Sequence, residues 1–250
     1  EICDAFRRKY PDIEFHYFIE EKQGLSHARN RGIKEANAEL ITFIDDDAFL
    51  DKQYLSITVG FFKANPDVLA IGGKIIPYYE TSKPSWMSKY LAPLVGYFDM
   101  GNIVLPFKKK SYPRGSNMSF HKRAFNDHGL FNTELGRKGN NLEGGEEKDL
   151  FMRLYSANQK VYYVPDAVVF HAVPAWRLSV DFIKQAIGTG LSEKNRVKNN
   201  RKKYFDRLLQ ELFKWMATSL LFLFYLFSLR PPKAFMLIRF RYWVSKGFLS

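Results

Sequence analysis

The sequence predicts an α/β domain, a mixed sheet flanked by helices, with a helical C-terminal extension. Three observations predict it. Helix-period and strand-like segments alternate from Ser26 onward, the apolar run Leu40–Ile44 breaks abruptly into Asp45, Asp46 and Asp47, and the basic charge collects at the C-terminal end. At 250 residues and 46% hydrophobic, the chain can build one sizeable core plus an appendage, which excludes a disordered protein. Cys3, the single cysteine, excludes an internal disulfide framework and any Cys-based zinc site.

The elements follow in order. Glu1–Tyr10 (EICDAFRRKY) has no apolar h-region of a secretory signal and reads as part of an amphipathic helix. Ser26–Ala38 reads as a helix with Ser26 as N-cap, feeding a strand over Leu40–Ile44. Lys52–Ala64 puts Tyr54, Leu55, Thr58, Phe61 and Phe62 on one face and stops at Asn65-Pro66. Val68–Ile76 is strand-like, with Gly72-Gly73 allowing close backbone approach to a ligand. Pro77 to Pro113 has no sustained period and reads as a long loop region of the kind that binds something, with Trp86 offered either to a ligand or to the core. Asn117–His121 reads as a short strand, Glu146–Ala157 as a helix, and Lys160–Val164 and Ala167–Phe170 as two strands split by Pro165-Asp166.

Charge is placed unevenly. Asp181–Ser250 holds 14 Lys or Arg against 4 acids, so it carries nearly all of the net +12. Within it the basic run Lys194–Lys203 precedes Trp215–Leu229, fifteen residues without a charge. At about 1.5 Å per residue that helix spans roughly 22 Å, short of the roughly 30 Å hydrocarbon core. The length favours a helix lying in the membrane interface, with flanking basic and aromatic residues as anchors on anionic lipid. The alternative is a core helix with a solvated basic face. Nucleic acid is excluded as the main partner, because phosphate contacts need no block of Leu and Phe beside them. The expected division is an α/β domain over 1–190 and a basic, aromatic, membrane-associating helical tail over 191–250.

Three features carry chemistry. Adjacent carboxylates at a strand end repel one another unless a cation compensates, so Asp45, Asp46 and Asp47 point to a metal; a solvated turn or a helix cap is the competing reading. Glu146 and Glu147 start a helical period after Gly144-Gly145, where acids are favoured by the helix dipole or serve as a general base. His171, at the exit of an apolar run, is either structural or a metal ligand.

In this order and spacing, Gly24–Ile33 (GLSHARNRGI), LITFIDDD, Gly115–Phe120 (GSNMSF) and GGEEKDLFMRL resemble a family 2 glycosyltransferase of the GT-A, Rossmann-like fold, over roughly Phe15–Arg177. The resemblance implies that the triplet is the DXD motif, with Asp45 and Asp47 holding Mn²⁺ or Mg²⁺ against the diphosphate of a nucleotide sugar and Asp46 beside them. It implies donor contacts at Gly24, Arg29, Gly115 and Asn117, and His171 near the metal. It places the catalytic base at Glu147, with Glu146 and Asp149 as alternatives. It also implies a single, inverting displacement onto a saccharide or lipid-linked acceptor, at the cytoplasmic face of the inner membrane. Nothing in Glu1–Glu21 resembles the family's opening nucleotide-binding strands, so the chain is expected to be truncated at its N-terminus. Two other classes compete: a metal-dependent phosphoesterase using the same carboxylates, and an inactive fragment that only binds membrane.

Overall fold

The computed structural model describes residues 1–108, 111–137, 139, 144–186 and 200–249. It divides into two compact units. The first comprises Glu1–Phe43, Val59–Gly72 and Leu105–Tyr162, and the second Ile44–Thr58, Gly73–Val104 and Tyr163–Ser250. The expected domain boundary near residue 190 and the basic residues 194–199 lie outside the described residues.

In the first unit, α1 (Ile2–Lys9) is followed by α2 (Leu25–Glu35), which buries Ser26, Arg29, Asn30 and Ile33 at helical spacing. The helix begins at Gly24, whose φ of 142° suits glycine, and Ser26 lies inside it; the expected Ser26 cap is therefore corrected. Ser26 donates instead to the Leu135 carbonyl at 2.8 Å. Strand β1 (Leu40–Phe43) pairs antiparallel with β5 (Met118–His121), and β5 pairs with the start of β3 (Ala70–Tyr79), in the order β1-β5-β3. Phe43 meets the rings of Phe120, Phe125 and Phe131 edge-on, an aromatic core under the sheet. Gly72 packs against Pro113 and the Asn117 carbonyl, so its missing side chain makes room for the Pro113 ring and that carbonyl rather than for a ligand. Helices α4 (Arg123–His128) and α5 (Glu146–Ser156) complete the unit.

The second unit holds β2 (Ala48–Leu50), a strand that short length hid from the sequence, paired antiparallel with β6 (Val161–Val173). α3 (Tyr54–Ala64) starts after Asp51, whose carboxylate accepts from the Gln53 N–H at 2.9 Å. β6 is one strand where two were expected. Pro165 lacks an N–H, but it falls between Val161, which accepts from residue 107, and Val169–His171, which pair with β2. The expected loop over 77–113 also carries order: β3 runs to Tyr79, a 3₁₀ turn covers Ala92–Val95, and β4 is Leu105–Pro106.

After a 3₁₀ turn at Ala175–Leu178 and α6 (Val180–Ala186), the chain ends in an antiparallel pair, α7 (Arg201–Phe227) and α8 (Pro231–Leu249). Asn200 caps α7 by accepting from the Lys203 N–H at 3.0 Å, and Pro231 opens α8, where its missing N–H costs nothing. α7 is thus far longer than Trp215–Leu229. One face of the pair is core: Tyr225, Ala234, Met236, Leu237 and Val244 cluster with Met87, Leu91, Val95, Val173, Leu178 and Ile183, and Trp86 packs against them. Glu211, 5% exposed, pairs with Arg207 and Lys214 on its own helix and ties α7 to α8 through Arg241 and the Ser245 hydroxyl. Burial alone would raise its carboxyl, but these three cations outweigh burial and hold it below the ordinary range.

Candidate active site

Asp45, Asp46 and Asp47 form the turn between β1 and β2, closed by the Ala48 N–H on the Asp45 carbonyl at 3.1 Å. β2 sets what they meet. Ala48 pairs with His171, and the Ala172 N–H donates to the Asp47 carbonyl at 2.7 Å, so the register brings the His171 ring beside the Asp47 carboxylate. One ligand atom each from Asp45, Asp47 and His171 falls within 4.8 Å of the others. Asp46 is exposed and stands apart from that group.

These donors fit a divalent cation. The Asp47 Oδ1 is buried and, among the described residues, has no hydrogen-bond partner, although His171 Nε2 is 3.2 Å away. Two carboxylates and an imidazole are a common donor set for Mn²⁺ and fit Mg²⁺ through their oxygens. The second Asp47 oxygen is held by Arg177 Nη1 at 2.9 Å. Sequence reasoning missed Arg177. Its signal is faint: a lone cation six residues past His171 in the apolar stretch AVPAWRL. Gly96 was missed as well. Its φ is +89°, and a Cβ there would stand 3.2 Å from the His171 ring, so only glycine leaves the imidazole in place.

A polar knot stiffens the strand and loop near Gly96. Asp99 accepts from the Gly101 N–H at 2.8 Å and from the hydroxyls of Tyr163 at 3.1 Å and Tyr97 at 3.2 Å, with Lys74 Nζ at 3.5 Å. Burial works against the charge, but these donors hold the Asp99 carboxyl below its ordinary range. Burial also pushes the Tyr163 phenol up to about 12, so it remains a donor.

The other carboxylates belong to the first unit. Glu146 and Glu147 open α5 after Gly145, whose φ of 132° favours glycine. Arg29 binds both: Nη1 donates to Glu146 Oε1 at 2.9 Å and Nη2 to Glu147 Oε1 at 3.2 Å. Its guanidinium also stacks over Phe131, 5.4 Å from the ring centroid. Gly115 is the floor of this cluster, since any side chain there would run into the Glu147 carboxylate and the Arg29 guanidinium. Asn117 is buried in the same turn, with its N–H on the Arg114 carbonyl at 2.8 Å. Asn30 is structural, exchanging hydrogen bonds with the backbone of Phe131 at 2.8 and 3.0 Å. Asp149 pairs instead with Arg153 one turn along at 3.1 Å, whereas Glu146 and Glu147 are the carboxylates that Arg29 binds.

Residues 1–129, just over half of the chain, match glycosyl transferase family 2. The chain belongs to that family. It is 28% identical over 166 residues to a glucosyl-dolichyl phosphate glucuronosyltransferase of Haloferax volcanii, covering 66% of this chain and 52% of that protein. It is also 28% identical over 171 residues to a pre-mycofactocin glycosyltransferase of Mycobacterium tuberculosis, covering 67% and 34%. The chain therefore spans about half or less of the curated relatives it matches. Among solved structures it resembles the mannosyltransferase PcManGT of Pyrobaculum calidifontis in complex with GDP-Man and Mn²⁺, with a TM-score of 0.56 at 15% identity over 98% of this chain and 72% of that one. It also resembles GalNAc-T7 with UDP, GalNAc and Mn²⁺, with a TM-score of 0.50 at 15% identity over 75% and 38%. These likenesses show the α/β GT-A fold. Glu146, Glu147 and His171 lie beyond the residues matched by the family.

Proposed function

We propose that the chain is the catalytic part of an inverting glycosyltransferase that moves a sugar from a nucleotide-sugar donor to a saccharide or lipid-linked acceptor, in surface polysaccharide or glycolipid synthesis at the cytoplasmic face of a membrane. The observation that carries it is the buried Asp47 oxygen that accepts no hydrogen bond among the described residues, 3.2 Å from His171 Nε2 and beside Asp45. A lipid-linked acceptor is taken from the name of the Haloferax relative, and Mn²⁺ with a nucleotide from the two solved neighbours.

Asp45, Asp47 and His171 would hold Mn²⁺ or Mg²⁺, which supplies Lewis-acid stabilisation to the departing diphosphate. Arg177, already on Asp47, would add a second positive charge for that diphosphate. Glu147 takes the proton of the acceptor hydroxyl as its oxygen attacks the anomeric carbon. The bond from that carbon to the diphosphate breaks as the new one forms, which inverts the centre. Glu146 and Arg29 orient Glu147, and Gly115 lets them close on it. Gly24, Asp46, Gly115 and Asn117 would contact the donor, and Arg29 would be the alternative contact to its nucleotide.

Calorimetric titration of Mn²⁺, with and without UDP, into the wild type and Asp47→Ala tests this. Loss of one charged ligand is expected to weaken Mn²⁺ at least tenfold while the melting temperature holds or rises, because a site-facing carboxylate contributes repulsion to the empty protein. Unchanged Mn²⁺ affinity would sink the metal assignment.

A further inference from the structure

The largest physical anomaly of the described structure lies on α7. Its inward face, at Glu211, Thr218 and Tyr225, is buried. Its outward face carries Phe205, Leu209, Leu212, Phe213, Met216, Leu220, Leu223, Phe224 and Phe227, all exposed. At about 100° per residue these nine fall within an arc of roughly 120°, opposite the buried face, along roughly 33 Å of helix. Phe205 is 66% exposed, Leu220 69% and Phe227 85%, and Leu229 just beyond the helix is 89%. On α8, Phe235, Tyr242 and Leu249 repeat at seven-residue spacing and are exposed too. An apolar strip this long is costly in water and marks a surface that something covers.

We infer that this strip is a docking face for an anionic lipid bilayer, on which the α7–α8 pair lies parallel to the membrane plane. The inference rests on the membrane site proposed above, and it relocates the contact. Trp215, expected as an anchor, is turned inward and donates to Ser245 at 2.9 Å, and Tyr225 is core. The covering residues instead begin ten positions earlier, at Phe205.

Charge selects the occupant. Residues 201–250 hold ten Lys or Arg against two acids. One acid, Glu211, is enclosed by its three cations, and the other, Asp206, sits at the edge of the strip. Arg201, Lys202 and Lys203 are exposed at one end of the strip and Arg230 at the other. Two copies meeting through this face would bring like charges together with Asp206 as the one exposed acid among residues 201–249 to pair them, whereas a bilayer rich in acidic headgroups supplies both the apolar interior and the counter-charge. No described helix is long and apolar enough to cross a membrane, so the strip lies in the interface.

Co-sedimentation of the full chain with vesicles of equal parts phosphatidylglycerol and phosphatidylcholine, or of phosphatidylcholine alone, tests the inference. The full chain is expected to pellet with the anionic vesicles and to be released progressively by salt. Leu220→Glu with Phe224→Glu, two outward positions, is expected to weaken that binding at least about a hundredfold. Replacing Arg201, Lys202 and Lys203 with Gln together is expected to weaken it roughly a hundredfold and to flatten the salt dependence. Mn²⁺ affinity, measured on the same proteins, is expected to stay unchanged, which separates this result from any failure of the catalytic assignment. A full chain that stays in the supernatant, or a doubly substituted chain that pellets like the wild type, overturns the inference. Light scattering that gives a dimer split by Leu220→Glu and Phe224→Glu would assign the strip to a second copy and overturn it as well.

Discussion

The carboxylates of the first unit and those of the second are handled in opposite ways. Glu146 and Glu147 share one buried guanidinium, and Gly115 is shaped to let that pair close. At the turn after β1, Asp47 has Arg177 on one oxygen and nothing hydrogen-bonded to the other, while Asp45 and His171 stand within ligand distance. Among the described residues each cluster keeps one buried carboxylate oxygen without a hydrogen bond, Glu146 Oε2 in the first and Asp47 Oδ1 in the second, but only the second sets a further carboxylate and an imidazole beside it, the donor set that a cation would complete on the reading proposed above. The proposed chemistry divides accordingly: the cluster tied by Arg29 would hold a base in one orientation, and the one around Asp47 would hold a metal and its diphosphate.

That contrast can be broken or sharpened. Glu146→Gln strikes the compensated pair, where removing one charge leaves Arg29 buried with half its partners; a loss of about 3 kcal/mol in denaturant unfolding is expected, with Mn²⁺ affinity unchanged. A loss under about 1 kcal/mol would mean that the pair is not the structural anchor of the first unit.

Glu147→Gln keeps the shape beside Arg29 and removes the base. Turnover of the full-length protein is expected to fall at least about a hundredfold with little change in donor affinity. Near-normal turnover here, together with a dead Asp149→Asn, would move the base to Asp149.

Gly96→Ala acts on the second cluster without touching a ligand atom. The added methyl meets the His171 ring and also strains a φ of +89°, so Mn²⁺ is expected to bind about tenfold more weakly by calorimetry, with a modest drop in melting temperature. Unchanged Mn²⁺ affinity would remove His171 from the ligand set.

The smallest effect has the opposite sign. Arg177→Gln removes the cation that competes for Asp47, an ion pair worth about 1 kcal/mol or less at this exposure, so Mn²⁺ alone is expected to bind up to about fivefold more tightly while UDP with Mn²⁺ binds more weakly. If both weakened, Arg177 would be holding the ligand set together instead of competing with the metal.

Much of this was legible in the chain because it is local. The helix over Ser26–Ala38, the strand ending in three aspartates and the acid-led helix at Glu146 are set by period, by a glycine cap and by the run of apolar residues between polar turns. The ordered motifs carried the family, and the match over residues 1–129 bears that reading out. Where local chemistry misled, a tertiary neighbour had overruled it. Ser26 prefers a cap position but finds the Leu135 carbonyl. Pro165 discourages a strand but is tolerated inside β6, which runs unbroken over Val161–Val173 and pairs with β2 through Val169–His171.

By itself the sequence determined which residues could carry charge chemistry and that an acidic turn would follow β1. Only the tertiary structure decided their partners. Pairing Ala48 with His171 joins residues 123 positions apart, Arg29 reaches Glu146 across 117, and Arg177 comes to Asp47 because β6 returns beside β2. Those contacts depend on strand register and on burial, and neither is written in any short window of sequence. The same holds for α7, whose apolar residues occur all around the helix. Packing against Met87, Leu91 and Val173 took one face and left the other exposed, because a single helix can bury only the side that its own core reaches.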